Sequence, residues 1–255
     1  MGGDPGPRAQ RGLLLLDFDG TLWRGNEALE IYAGAVARDL APEDRGPYLE
    51  AVHAFLGGER WRILGAASPP DDGWAAVASF AAARGAPAGR VHDAFLETRA
   101  RIAAGEVRLE VPDGLVEFLA WSRRHCAVVL ATNSPASSVV PVLAELGLAG
   151  LIDEVASEAH KPGGLVDLVT AWAGRLDADL RRVMSVGDHY RNDIEPAVRA
   201  GWFTAYITPW RWVPGPCSLV GTTMEELLPG LYEWVSAVAA GMATADSVAV
   251  GPRGS

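Results

Sequence analysis

Lysine is almost missing from this chain. Of its 22 basic residues, Lys161 is the one lysine and the remaining 21 are arginine. A codon bias towards Ala, Arg, Gly and Pro accounts for the arginines. It does not account for the exception, which marks a place where arginine would not serve. Cysteine is also scarce. Cys126 and Cys217 make neither a disulfide framework nor a CxxC metal pair, which suits a reducing compartment. Positive charge is in deficit, with 32 acidic residues giving a net charge of −10 and a pI near 5.0. Such a chain repels a phosphate backbone, so nucleic acid is not expected as a partner. Long apolar runs are lacking as well. Leu13–Leu16 is too short to cross a membrane or to form the core of a signal peptide, and the opening MGGDPGPRAQRG carries no targeting pattern. The expectation is a cytoplasmic protein with no membrane partner and with flexible ends over residues 1–11 and 241–255.

What is present is the composition of an ordinary globular chain, 49% apolar and 21% charged, which excludes a disordered or coiled-coil protein. Residues 13–17 (LLLLD) form an apolar run closed by an acid, the pattern of a strand buried on both faces. Similar runs lie at 127–131, 183–186 and 203–207, with a weaker one at 151–155. Helical periodicity fills the gaps at 114–124, 136–147, 164–174 and 193–200. Strands alternating with helices of this length predict βαβ units and a parallel sheet. Residues 24–110 break the alternation. They read as helices near 28–41, 46–57, 72–84 and 88–104, separated at Pro42, Gly57-Gly58, 68–73 and 85–87. An all-helical insert in a parallel-sheet protein predicts a second, smaller domain, with Pro112-Asp113-Gly114 marking the return to the core.

The chemistry-bearing residues sit where the predicted strands end. Asp17-Phe18-Asp19-Gly20-Thr21 follows the first strand, and the carboxyl ends of parallel strands are where open α/β sheets bind ligands. Carboxylates two residues apart, followed by a glycine that permits a sharp turn, can converge on one ligand. One can then attack or hold a metal while the other handles protons. Thr132-Asn133-Ser134 follows the strand at 127–131 and offers a hydroxyl and backbone N–H groups to an anion; the same residues also suit a helix N-cap. His160-Lys161-Pro162 carries the lone lysine, its proline expected in the first turn of a helix. Gly187-Asp188 and Asp193 follow the strand at 183–186 and suit a hard cation that keeps several waters.

In this order the four segments resemble the motifs of the haloacid dehalogenase-like (HAD) hydrolases, over roughly residues 12–22 and 111–230. The resemblance implies a Rossmann-like, doubly wound α/β core, residues 12–23 and 111–240, with an inserted helical cap, residues 24–110. It implies Asp17 as nucleophile and Asp19 as general acid and base. Mg²⁺ would be held by Asp17, the Asp19 backbone carbonyl, Asp188 and Asp193, and the phosphoryl group by Thr132, Asn133 and Lys161. The implied reaction is Mg²⁺-dependent hydrolysis of a small phosphorylated metabolite through an aspartyl-phosphate. The alternative is a phosphomutase or phosphotransferase using the same groups. Family members that hydrolyse carbon–halogen bonds lack an acid two residues beyond the nucleophile, so Asp19 argues against that branch.

Weaker candidates lie in the insert and in one loop. Arg24 stands nearest the first motif and is a candidate for substrate specificity. Trp23, Arg60, Trp61 and Arg62 form an arginine–aromatic set that also reads as ordinary surface and core residues. Trp210-Arg211-Trp212 reads as packing in a loop after the last strand. His189 has no second histidine spaced to share a metal, and Cys126 has no adjacent base to activate it.

Overall fold

The structure is a computed structural model describing residues 11–58 and 70–242. The predicted flexible ends, together with Arg60, Trp61 and Arg62, fall outside or almost wholly outside these residues. Six strands form one sheet in the order β3-β2-β1-β4-β5-β6, every neighbouring pair parallel. They are β1 Arg11–Leu16, β2 Cys126–Ala131, β3 Glu154–Ala156, β4 Ala178–Gly187, β5 Phe203–Ile207 and β6 Leu219–Gly221. This is the Rossmann-like doubly wound order, whose reversal lies between β1 and β4.

The leucine run shows why the sheet is covered on both sides. Leu14 and Leu16 pack with Val128, Leu130 and Val186 beneath helices α5 (Leu115–Ser122), α6 (Ala136–Glu145) and α9 (Met224–Ala239). Leu13 and Leu15 point the other way, into a cluster with Val169 and Trp172 of α7 (Leu165–Leu176) and Ala197 of α8 (Glu195–Arg199). The period of two in a strand sends alternate leucines to opposite layers. All four are essentially inaccessible to solvent.

Some elements depart from the pattern. The run at 151–155 begins on the last residue of a 3-10 turn, Ala149–Leu151, and its strand is only the three residues of β3. β4 starts five residues before the apolar run at 183, because Arg181 and Arg182 interrupt its hydrophobicity without interrupting its backbone. The helix expected over 193–200 is a π-type turn, Tyr190–Ile194, followed by the single-turn α8, which has Pro196 in its first turn. Pro162 lies in a turn ahead of α7 rather than in its first turn. The strand at 203–207 is not the last, since β6 follows it.

Between β1 and α5 come α1 (Glu27–Ala37), α2 (Pro42–Leu56), α3 (Gly73–Ala82) and α4 (Ala88–Ala103). They share an apolar cluster of their own, centred on Tyr32, Tyr48, Val52, Phe55, Val77 and Phe80. The chain leaves for these helices at Arg24 and returns at Glu110, and the two residues pair by reciprocal backbone hydrogen bonds of 2.9 and 3.3 Å.

Leu14, at zero exposure in the central strand, sets the energetic scale. Leu14→Ala is expected to cost about 2–5 kcal/mol, the usual range for a buried leucine truncation. Denaturant unfolding measures it, and a loss below about 1 kcal/mol would show that this layer is not close-packed.

Candidate active site

Register brings the functional residues together. Leu16 lies opposite both Leu130 and Val186, so the residues following β1, β2 and β4 emerge side by side at the reversal of strand order. Asp17 follows β1, and its N–H still donates to Val186 O at 2.9 Å. Thr132, Asn133 and Ser134 follow β2, and Asp188 follows β4.

Lys161 is the centre of the arrangement. Its Nζ lies 2.6 Å from Asp17 Oδ1 and 2.6 Å from Asp193 Oδ1, with all three side chains buried. The loop that carries it is held by Asn133, whose Nδ2 donates to Lys161 O at 2.9 Å and whose Oδ1 accepts from Lys161 N at 2.7 Å. Both ends of that carboxamide therefore hold the Lys161 loop. Thr132 is buried, and its Oγ1 accepts from Ser134 N at 3.1 Å.

Two glycines make room for the acids. Gly20 has φ +75°, and a Cβ there would overlap the Asp188 carboxylate. A side chain at Gly187 would strike Asp193, which folds back against the strand end and accepts from His189 N at 3.1 Å. Ser185 fixes the same turn by donating to Asp193 O at 2.7 Å. Asp17, Asp188 and Asp193 consequently present carboxylate oxygens within 4.8 Å of one another, a spacing that could hold a metal ion.

Burial dominates the electrostatics. It pushes the Asp17 carboxyl up to about 7, against the opposing pull of Lys161, with Asp193 adding to the rise. Asp188 is raised well above the carboxylate range, first by burial and then by Asp72 and Asp17. Burial alone would lower the Lys161 ammonium, but Asp17 and Asp193 together hold it above its ordinary value. One cation facing three clustered carboxylates leaves a surplus of negative charge, and a hard divalent cation fits both the donor set and the surplus.

Asp19 stands apart from the metal-capable trio. Its Oδ2 accepts from Ser134 Oγ at 2.6 Å and its Oδ1 from Arg99 Nη1 at 2.7 Å. Arg99, on α4, went unrecognised in the sequence. The available signal was its place on the apolar stripe of α4 marked by Val91, Phe95 and Ile102, where a charge is out of pattern. Asp72 was likewise missed. It is buried at the N-cap of α3, accepting from Ala75 N at 2.6 Å, and lines the same pocket of about 130 Å³ as Asp17, Asp19, Thr132 and Lys161.

The weaker candidates resolve as follows. Arg24 lines an adjoining pocket of about 240 Å³ that reaches Gly20 and Asp188, but its guanidinium pairs with Glu225 and lies 3.9 Å from Glu110. Trp210 stacks on Phe55 at 4.5 Å and donates to Phe55 O at 2.7 Å, a packing role. His189 Nδ1 lies 3.9 Å from Asp71. Burial pushes the Cys126 thiol up to about 12, which disarms it as a nucleophile.

Fold and site together define a doubly wound α/β protein with an acidic, metal-capable centre at its topological switch point. The model of the haloacid dehalogenase-like hydrolases matches residues 12–201, more than half of the chain, and the chain belongs to that family of hydrolases. No curated protein matches it. Among solved structures it is similar to YfnB of Bacillus subtilis, provisionally assigned as a HAD hydrolase and bound to magnesium. That match has 16% identity and a TM-score of 0.59, covering 87% of this chain and 99% of the other. A predicted phosphoglycolate phosphatase of Haemophilus somnus is 18% identical with a TM-score of 0.55, over 79% and 87% of the two chains. A protein of Thermotoga maritima, provisionally assigned as a β-phosphoglucomutase, is 19% identical with a TM-score of 0.52, over 87% and 99%. At these identities the likeness speaks for the fold.

The carboxyl groups raised by burial bind a cation only after losing their protons. Mg²⁺ is therefore expected to raise the melting temperature clearly near pH 7.5 and much less near pH 5, below the value of about 7 to which burial pushes the Asp17 carboxyl. Thermal melts with Mg²⁺ and with a chelator measure this, and an equal or absent shift at both values would contradict the assigned centre.

Proposed function

We propose that the protein is a Mg²⁺-dependent phosphatase that hydrolyses a small-molecule phosphomonoester through an aspartyl-phosphate on Asp17. The observation that carries the reading is the buried Lys161 ammonium, shared between Asp17 and Asp193 beside a second acid, Asp19, whose carboxylate is held at both oxygens. Asp17, Asp188 and Asp193 supply carboxylates for the metal, with the Asp19 carbonyl as a further ligand. Mg²⁺, when bound, neutralises the phosphoryl oxygens and keeps Asp17 ionised.

In the first half-reaction an Asp17 oxygen attacks phosphorus in line. The ester P–O bond breaks, and the departing oxygen takes a proton from Asp19. In the second, Asp19 removes a proton from water, the water oxygen attacks phosphorus, and the bond between phosphorus and Asp17 breaks to release phosphate. Lys161 holds Asp17 in place and offers positive charge to the incoming phosphoryl group, with Thr132 and the Asn133 N–H as further donors. Residues 24–110 serve as a cap over a core of residues 12–23 and 111–240, hinged at the Arg24–Glu110 pair, and Arg24 borders the space for the leaving group.

The Haemophilus and Bacillus neighbours support a phosphatase and magnesium, respectively. The Thermotoga neighbour favours a second reading, in which the phosphoryl group passes to an acceptor other than water. Phosphate release against isomerised product separates the two. The partner in either case is a small phosphorylated metabolite, in the cytoplasm, without nucleic acid or membrane. Among the described residues no helix is long and apolar enough to cross a membrane.

Asp17→Asn is expected to abolish Mg²⁺-dependent phosphate release from a panel of phosphomonoesters while keeping the fold. Lys161→Arg is expected to lower turnover by roughly 100-fold, because the larger, planar guanidinium does not fit the buried gap from which one ammonium reaches both carboxylates at 2.6 Å. Phosphate release near the parent rate from either variant would refute the mechanism.

A further inference from the structure

Arg99 is a buried cation that stability alone does not explain. Its side chain is 2% exposed, whereas those of Arg90 and Arg101 on the same helix are 59% and 42% exposed. Its guanidinium lies over Phe18, Trp74 and Phe95, with Cζ 5.6–6.0 Å from the ring centroids. Nη1 donates to Asp19 Oδ1 at 2.7 Å and Nε donates to Ser138 Oγ at 3.0 Å. Nη2 is buried with no hydrogen-bond partner among the described residues. Burying a guanidinium with an unsatisfied donor is costly, and an apolar side chain on this stripe of α4 would avoid that cost.

What the arrangement achieves is control of one carboxylate. Asp19 Oδ2 is held by Ser134 from the loop after β2, and Oδ1 by Arg99 from α4. With each oxygen held by a donor from a different element, the carboxylate is restrained from rotating about its χ2 bond. The rings prevent the guanidinium from tilting, and Ser138, on α6, sets its height. We infer that Arg99 is the positioning residue for Asp19, and that it makes alignment of the acid conditional on α4 being docked against α6. Arg99 would not touch the phosphoryl group; it acts through Asp19. The inference rests on the phosphatase reading and adds to it a residue that ties the helical segment to proton transfer.

The test uses leaving groups of different basicity. Expulsion of 4-nitrophenolate needs no proton from the enzyme, whereas expulsion of an alkoxide does. The full-length protein with Mg²⁺ is assayed on 4-nitrophenyl phosphate and on glycerol phosphate, reading kcat/KM, which reports steps up to phosphoryl transfer. Arg99→Lys keeps the charge but not the two-pronged geometry. It is expected to lower kcat/KM on glycerol phosphate by about 10- to 100-fold, the scale of a misplaced catalytic group, and on 4-nitrophenyl phosphate by less than about 3-fold. Ser138→Ala, which loosens Arg99 without altering its charge, is expected to show the same selectivity at smaller size, and it keeps the test open should Arg99→Lys fold poorly. Equal losses on both esters, or no loss on either, would overturn the inference. A wild-type protein inactive on both esters would instead overturn the phosphatase reading, and the inference with it.

Discussion

A single ammonium group between two buried carboxylates organises the carboxyl edge of the sheet. Asp17 leaves β1 and Asp193 folds back beneath β4, and without a cation between them their charges would drive the strand ends apart. Lys161 reaches both at 2.6 Å. Asn133 then ties the Lys161 backbone to the end of β2. Three loops are thus locked through one residue, and removing its ammonium would leave buried charge uncompensated, typically at a cost of about 3–5 kcal/mol. A compact ammonium can point donors at two oxygens from one position, whereas a guanidinium spreads its donors over a plane. That geometric demand explains why a chain so biased towards arginine keeps a lysine here.

The same crowding dictates the glycines and the charge balance. Gly20 and Gly187 are places where a side chain would displace Asp188 or Asp193. Such close approach concentrates negative charge that Lys161 neutralises only in part, so burial holds Asp17 and Asp188 above the usual carboxylate range. An arrangement that disfavours its own ionised form is poised to accept a cation, and under the proposed function a phosphoryl dianion would follow only once that cation is present.

Much of this was legible along the chain. A strand buried on both faces writes itself as a continuous apolar run, so β1, β2 and β5 and the inner part of β4 stood out. The residues that follow them announced the acids, the hydroxyls and the lysine. β6 was not legible, because three residues leave too little pattern, and β3 shrank for the same reason. α9 went unidentified although Thr223 caps it in the usual way. Arg99 and Asp72 were hidden by a different cause. They reach the site from helices far along the chain, and Arg99 lies 80 residues from the carboxylate it holds. Only the packing of α4 and α3 brings them there, and local sequence records that packing as little more than a charge on an apolar stripe and a cap at a helix start.

The central claim is that Asp17, held by Lys161, attacks phosphorus before water does. The stereochemical course of hydrolysis of an oxygen-isotope-labelled, chiral phosphorothioate monoester in labelled water tests it most directly, because each in-line displacement inverts phosphorus and the thiophosphate released remains chiral. Two displacements, through Asp17 and then water, give net retention, which is the expected result. Net inversion would mean that water attacks the ester in one step, and would contradict the account.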